Sequence, residues 1–346
     1  MAYNSAKVTS MCTTFVFPTP AGTFAGRNLD LDRHFSERVV LTPRNLPLTF
    51  SNGEQLAQHE ALLGMATAAG NTPLYAEAIN EAGLYMAGLY FPSSAHFVPR
   101  GKSSASLGIA SFEFITYVLT HAHTVEQART LLADAYLTDE AFAPGLPVAD
   151  LHFFLADLTG QALVAEQTGE RLELKDDPAQ VLTNNPPLEF QLEHLRYFMH
   201  VSPTAPANNF SASGSALSLT PNAQGFGQIG IPGDSTAASR FIRAAFHVQH
   251  ATRPDTVEAS ITQVFHILDA VSMVAGATVN GEGLAEVTLY SAALDMSHFS
   301  YYVTTYDNRR IMAVHPSTDA LEGSSLMQVA LKRTPDFEKA ELSLLG

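Results

Sequence analysis

Met11-Cys12-Thr13-Thr14-Phe15-Val16-Phe17, followed by Gly26-Arg27-Asn28-Leu29-Asp30, is the stretch that decides how this chain is read. Thr13 to Phe17 is rich in β-branched and aromatic residues, and Thr19-Pro20-Ala21-Gly22 is a turn signal leading into a second strand that ends near Gly26. The two form a hairpin with Cys12 at its open end. Cys12 is the only cysteine in 346 residues, and alone it reads as a small buried hydrophobe. Its place behind Met11 reverses that reading. Removal of everything up to Met11 leaves a thiol and a primary amine on one residue, a nucleophile and a base together. Arg27 and Asp30 lie on the neighbouring strand. A guanidinium beside the sulfur favours thiolate. A carboxylate beside an α-amine, whose unperturbed pKa is roughly 8, orients it and favours its protonated form. The ordinary alternative is a weak surface ion pair at a hairpin end.

Outward from this hairpin, Leu74 to Ile79 and Leu84 to Phe91 flank the turn Asn80-Glu81-Ala82-Gly83 as a second hairpin. Ser111 to His121 reads as an apolar helix. Thr124-Val125-Glu126-Gln127 is a capping box opening a helix to about Ala135. Leu151 to Asp157 and Ala162 to Gln167 form a third hairpin. Ser202 to Gly233 reads as a long Ser/Pro/Asn/Gly-rich excursion. Ser235 or Thr236 caps a helix to about His250, Val257 to Val274 is helical, and strands return at 286–294, 300–305 and 310–314. Antiparallel hairpins with helices grouped between them predict an α+β layered domain.

The formal charge is −15, from 19 Lys+Arg against 34 Asp+Glu. Such a surface repels phosphate backbones and anionic lipid, which argues against nucleic acid and membrane partners. A single cysteine supplies neither an internal disulfide nor a zinc-thiolate cluster, which fits a cytoplasmic protein. No apolar run has the length of a membrane helix. Met1 to Met11 lacks the hydrophobic block of a signal peptide, so 1–11 reads as a leader, removed or untranslated.

Other motifs are decoys. Gly225-Phe226-Gly227-Gln228-Ile229-Gly230 matches a dinucleotide fingerprint, but a loop precedes it and Pro232-Gly233 stands where a helix should open. Residues 276–283 lack the Lys-Ser/Thr pair of a phosphate loop. His121 and His123 have no carboxylate partner in sequence, and Asn209-Phe210-Ser211 is a sequon without a secretion signal. No cofactor or metal is expected. A Cys-His thiol protease is a minor alternative without its local signatures.

Met11-Cys12-Thr13, Gly26-Arg27-Asn28-Leu29-Asp30 and Thr42-Pro43-Arg44-Asn45 together resemble the start of the choloylglycine hydrolase family, which comprises bile salt hydrolases and penicillin V acylases within the amino-terminal-nucleophile hydrolases. Asn80 to Leu84, Ala87 to Pro92, Val164 to Thr168, Val181 to Asn184 and Pro232 to Arg243 resemble the family in the same order. The resemblance ends near His315. It implies a four-layer αββα sandwich of two antiparallel sheets, with residues 12–346 as one linear-amide hydrolase domain. Carried over residue by residue, Cys12 is the nucleophile and its own amine the base, and Arg27 and Asp30 hold thiolate and amine. Asn184 donates to the oxyanion, Tyr90 occupies the other oxyanion position, and Arg240 braces the group. A one-residue slip would exchange Asn184 for Asn185; the Leu-Thr-Asn match favours Asn184, and Asn184→Ala is expected to be nearly inactive but folded.

The resemblance leaves the substrate divided. Bile salt hydrolases of the family usually carry Asn where this chain has Tyr90, and penicillin V acylases often carry Tyr, so the expectation leans to a penicillin V-like amide. The alternatives are a conjugated bile acid, an acyl-homoserine lactone, or an inactive bile-acid-binding protein with unprocessed Cys12. Leu62 to Met65 and Phe142 to Leu146 are candidate acyl-pocket linings, or ordinary core and loop. Residues 191–230 resemble the segment that packs subunits in tetrameric members, which implies a homotetramer.

Overall fold

The computed structural model describes residues 11–144 and 146–343. The leader, apart from Met11, and Gly145 of the suggested acyl-pocket loop lie outside the described residues. In chain order, β1 (Met11–Thr19) and β2 (Gly22–Leu31) form the first hairpin, followed by β3 (Arg38–Thr42) and the short β4 (Leu48–Thr49) and β5 (Gln55–Leu56). Next come the meander β6 (Leu62–Ala69), β7 (Thr72–Asn80) and β8 (Tyr85–Tyr90), then β9 (Leu107–Ala110). A 3-10 turn leads into α1 (Phe114–His121) and α2 (Val125–Leu132), and β10 (Ala135–Thr138) returns beside β9. β11 (Leu151–Ala156), β12 (Ala162–Glu166), β13 (Glu173–Asp176) and β14 (Val181–Leu182) precede α3 (Leu188–Leu195), α4 (Ala237–His250) and α5 (Val257–Asp269). The chain closes with β15 (Val287–Asp295), β16 (Ser300–Thr305), β17 (Met312–Val314), α6 (Thr318–Leu321) and β18 (Met327–Ala330).

These strands build two large antiparallel sheets, β14-β1-β2-β15-β16-β17 and β13-β12-β11-β8-β7-β6-β3-β18. One apolar core lies between the sheets and under α4 and α5, with Phe15, Phe17, Phe154, Tyr85 and Phe241 buried in it. A second fills the space between the other sheet and α1 and α2. The fold is the expected four-layer αββα sandwich.

Local chemistry sets the boundaries. Thr124 accepts from the Gln127 N–H at 3.2 Å, and the Gln127 amide accepts from the His123 N–H at 2.8 Å, which closes the N-terminus of α2. Thr236 caps α4, and α5 stops at Asp269, earlier than its apolar pattern suggested. Gly83 makes the β7–β8 turn at φ 85°. Gly26 is required for space: a Cβ there would lie 2.3 Å from the ring of Phe15, its partner across the hairpin. Leu62, Leu63 and Met65 on β6 are fully enclosed, so they are core and not an acyl pocket. The dinucleotide-like glycines form a three-residue 3-10 turn at Phe226–Gln228. His121 does have an acidic partner, Glu54 at 2.9 Å, and His123 faces Glu60, but no metal-type cluster of His, Cys, Asp and Glu occurs among the described residues.

Candidate active site

β1 and β2 pair with Cys12 opposite Leu29, Thr14 opposite Arg27, and Met11 opposite Asp30. Partners across an antiparallel ladder share a face, and successive residues alternate. Cys12, Thr14 and Arg27 therefore point between the sheets, while Thr13, Asn28 and Asp30 point towards α4 and α5. The Asn28 amide accordingly donates to the Leu268 carbonyl on α5. The three-residue step from Arg27 to Asp30 thus delivers a cation to the sulfur side and a carboxylate to the other side of the same strand.

Arg27 Nη2 lies 3.2 Å from Cys12 Sγ and donates to the Gly88 carbonyl at 2.8 Å. Arg27 Nε faces the Glu77 carboxylate at 3.5 Å, with both side chains enclosed. Burial alone would loosen the Arg27 proton, but Cys12 and Glu77 outweigh it and hold the guanidinium above its ordinary pKa. Thr14 donates to the Gly26 carbonyl and exchanges a 2.7 Å hydrogen bond with the Tyr85 hydroxyl.

On the other face, Asp30 accepts from Thr288 Oγ1 at 2.6 Å. Burial pushes its carboxyl up to about 6, against the pull of Arg240, the Thr288 hydrogen bond and Arg27. An ammonium placed next to it would draw that value back down.

Asn184 joins the two ends of the site. Its Oδ1 accepts the Cys12 main-chain N–H at 2.7 Å and Arg240 Nη2 at 2.8 Å, and its Nδ2 donates to the Tyr90 carbonyl at 2.7 Å. Arg240, fully buried on α4, also donates through Nη1 to the Cys12 carbonyl and to Thr13 Oγ1. Asn185 turns away and donates to the Pro92 carbonyl, so the asparagine beside Cys12 is Asn184. Tyr90 enters through its carbonyl, an acceptor. Any oxyanion donor it offers must be its N–H or hydroxyl.

The structure therefore brings Cys12, Arg27, Asn184 and Arg240 into direct contact, sets Tyr90 against Asn184, and places Asp30 across the ladder from Met11. Several participants carried no sequence signal. Thr183, next to Asn184, accepts from His152 Nε2 at 2.9 Å, and His152 Nδ1 faces Glu166 at 3.0 Å with its ring stacked on Phe91. Glu77, Tyr85, Tyr290 and Tyr301 lie behind Arg27. Isolated polar residues within strands resemble exposed-face residues, and only tertiary pairing shows that these face inwards. In this chain the Cys12 nitrogen carries Met11 and is an amide, so it donates a hydrogen bond but cannot accept a proton.

The family model for linear amide C–N hydrolases of the choloylglycine hydrolase family matches residues 12–329, reaching past His315 to the last strand. A bile salt hydrolase/transferase of Lactiplantibacillus plantarum is 34% identical over 94% of this chain and 99% of its own length. The crystal structure of a mutant conjugated bile acid hydrolase from Clostridium perfringens superposes with a TM-score of 0.86 at 29% identity, covering 95% of this chain and all of that one. A penicillin V acylase of Pectobacterium atrosepticum is 23% identical over 70% of this chain and 61% of its own length.

Proposed function

Because this chain belongs to the choloylglycine hydrolase family of linear amide C–N hydrolases, we propose that it cleaves the amide of conjugated bile acids, with Cys12 as an amino-terminal nucleophile. The observation that carries the substrate is the full-length 34% identity to a bile salt hydrolase/transferase, against a partial 23% match to a penicillin V acylase. This reverses the order of preference drawn from Tyr90 alone, because one position weighs less than similarity along the whole domain.

The geometry supports the following mechanism once Met11 is gone. The Cys12 thiol passes its proton to the α-amine, and the sulfur, steadied by Arg27, attacks the amide carbonyl carbon. Asn184 Nδ2 has two hydrogens and spends one on Tyr90, leaving the other for the developing oxyanion. The α-ammonium, held by Asn184 Oδ1 and Asp30, protonates the leaving amine as the C–N bond breaks. Water, deprotonated by the freed amine, then attacks the thioester, releasing the acid and restoring the thiol. Arg240 fixes the carbonyl side of Cys12 and the acceptor side of Asn184 together.

A panel of glycocholate, taurocholate, penicillin V and a long-chain acyl-homoserine lactone tests the substrate. One conjugated bile salt is expected to exceed penicillin V in kcat/KM by about tenfold or more. The reverse order, favoured by Tyr90, would return the chain to the penicillin V reading.

The excursion 191–230 supports assembly into a homotetramer. Tyr197, Met199, Phe210 and Ile229 are 75%, 83%, 83% and 65% exposed, an unusual display of large apolar side chains for a surface that faces only water. Light scattering coupled to size-exclusion chromatography is expected to return four chains, and a monomer at micromolar concentration would contradict it.

A further inference from the structure

Two β-bulges converge behind the candidate nucleophile. In the β6–β7 ladder Met65 pairs with Glu77 but Ala66 pairs with Tyr75, so Ala76 is an extra residue. In the β2–β15 ladder Asp30 pairs with Thr288 but Leu29 pairs with Tyr290, so Leu289 is extra. Without the insertions, Tyr75 and Glu77 would share a face, as would Thr288 and Tyr290. With them, Tyr75 turns towards the α1 side, where it meets Thr42 at 2.7 Å, while Glu77 turns between the sheets. Likewise Thr288 reaches Asp30 on one side and Tyr290 enters the inter-sheet core on the other. The two re-aimed residues meet: Tyr290 donates to Glu77 Oε2 at 2.8 Å, and Tyr301 donates to Oε1 at 2.6 Å.

A carboxylate with no exposed surface is costly unless it is paired and hydrogen-bonded. Glu77 has a donor on each oxygen and the Arg27 cation at 3.5 Å. Burial pushes its carboxyl up, while Arg27, Tyr301 and Tyr290 pull it down. The net direction is upward, and against it the cation alongside and a donor on each oxygen are arranged to favour the ionised form. Two independent irregularities of two different sheets are used to build one buried charge, and that charge lies a single guanidinium away from Sγ.

We propose that Glu77 is a positioning residue for the hydrolysis: braced by Tyr290 and Tyr301, it orients Arg27 and offsets part of the positive charge that Arg27 presents to the Cys12 sulfur. The inference rests on the reading of Cys12 as nucleophile. The charged and titratable groups around Glu77 are Arg27 on β2, Tyr85 on β8, Tyr290 on β15 and Tyr301 on β16. Those around Cys12 are Arg27, Tyr85 on β8, Tyr290 on β15 and, from α4, Arg240, which also feels Asp30, Arg243 and Glu286.

Glu77→Gln tests it, since glutamine keeps the size and an acceptor for one tyrosine but removes the charge. Arg27 keeps its hold on the Gly88 carbonyl and then presents its full charge to the sulfur. In processed protein, the rate of iodoacetamide alkylation at Cys12, followed against pH, should reach half its plateau on the order of one pH unit lower than in the parent. The over-stabilised thiolate is a weaker nucleophile, so kcat should fall with KM unchanged. Glu77→Asp, which withdraws the carboxylate without removing it, should move the profile the same way by less, and it carries the test if the glutamine variant does not fold. A folded variant that melts earlier but alkylates with the parent profile, or with a profile moved to higher pH, overturns the proposal and leaves Glu77 a structural brace. If alkylation of the parent leaves hydrolysis intact, the nucleophile reading of Cys12 is what fails.

Discussion

Cys12→Ala is expected to abolish hydrolysis of every substrate in the panel, with a loss on the order of 10⁴-fold or more, and to leave a folded protein. The loss is large because the substitution removes the only thiol in the chain and nothing else near it offers a nucleophile of that strength. The fold should persist because the contacts that tie residue 12 into the site are made by its main chain. Its N–H donates to Asn184 Oδ1 and its carbonyl accepts from Arg240, and alanine keeps both. The Arg27–Sγ contact disappears, and Arg27 retains Gly88 and Glu77. Turnover assays and thermal melts on the same preparation check both halves. Unchanged turnover would remove Cys12 from the mechanism altogether.

Asn184 gives the second large effect, and here the geometry separates two roles that one residue combines. Asn184→Ala deletes the proposed oxyanion donor, a change that typically costs about a hundredfold or more in rate. It also removes the Asn184 partner of the Cys12 N–H, of Arg240 Nη2 and of the part-buried Tyr90 carbonyl, and a buried hydrogen-bonding group left unsatisfied costs about 1–3 kcal/mol. The family resemblance implies a nearly inactive but folded variant; the structure adds an expected loss of stability. Asn184→Asp is the sharper test. It keeps an acceptor for Cys12 and Arg240 but puts an acceptor where Nδ2 donated to Tyr90. Its activity should therefore fall at least as far as that of the alanine variant, while its urea midpoint stays closer to the parent. If the aspartate variant keeps activity, Nδ2 is not the oxyanion donor.

Most of the candidate site was legible because it is written in short contiguous pieces. Gly26 to Asp30 lies on one strand, and strand alternation alone sends Arg27 and Asp30 to opposite faces. Asn184 and Arg240 were reached through family resemblance, since nothing local marks them out: one follows a two-residue strand and the other lies within an amphipathic helix. Glu77, Tyr290 and His152 were not legible by either route. Each is a polar residue in a strand, and in two of the three cases a bulge inverts the face that simple alternation assigns. The layered α+β fold followed from the hairpin order, but β3 and β18 at the far end of the larger sheet have no paired turn signal to announce them, and β6 is announced only by the two-residue Gly70-Asn71 turn that leads into β7. The penicillin V expectation drawn from Tyr90 is less well supported than its bile-acid alternative, because a single position says less about acyl specificity than resemblance over the entire chain.

The hydrogen bond from the Cys12 nitrogen to Asn184 exists while that nitrogen is still an amide joined to Met11. The seat for the amine is thus built in advance, with its acceptor already pinned by Arg240. If the Met11–Cys12 bond is cleaved as proposed, β1 loses its first residue, but the Cys12 nitrogen already lies against its acceptor. Cleavage adds hydrogens and a titratable charge to an atom that already sits in place. On the proposed reading, latency is electronic rather than mechanical: what cleavage changes at the site is the protonation chemistry of one nitrogen, which a mass spectrum would register and circular dichroism would not.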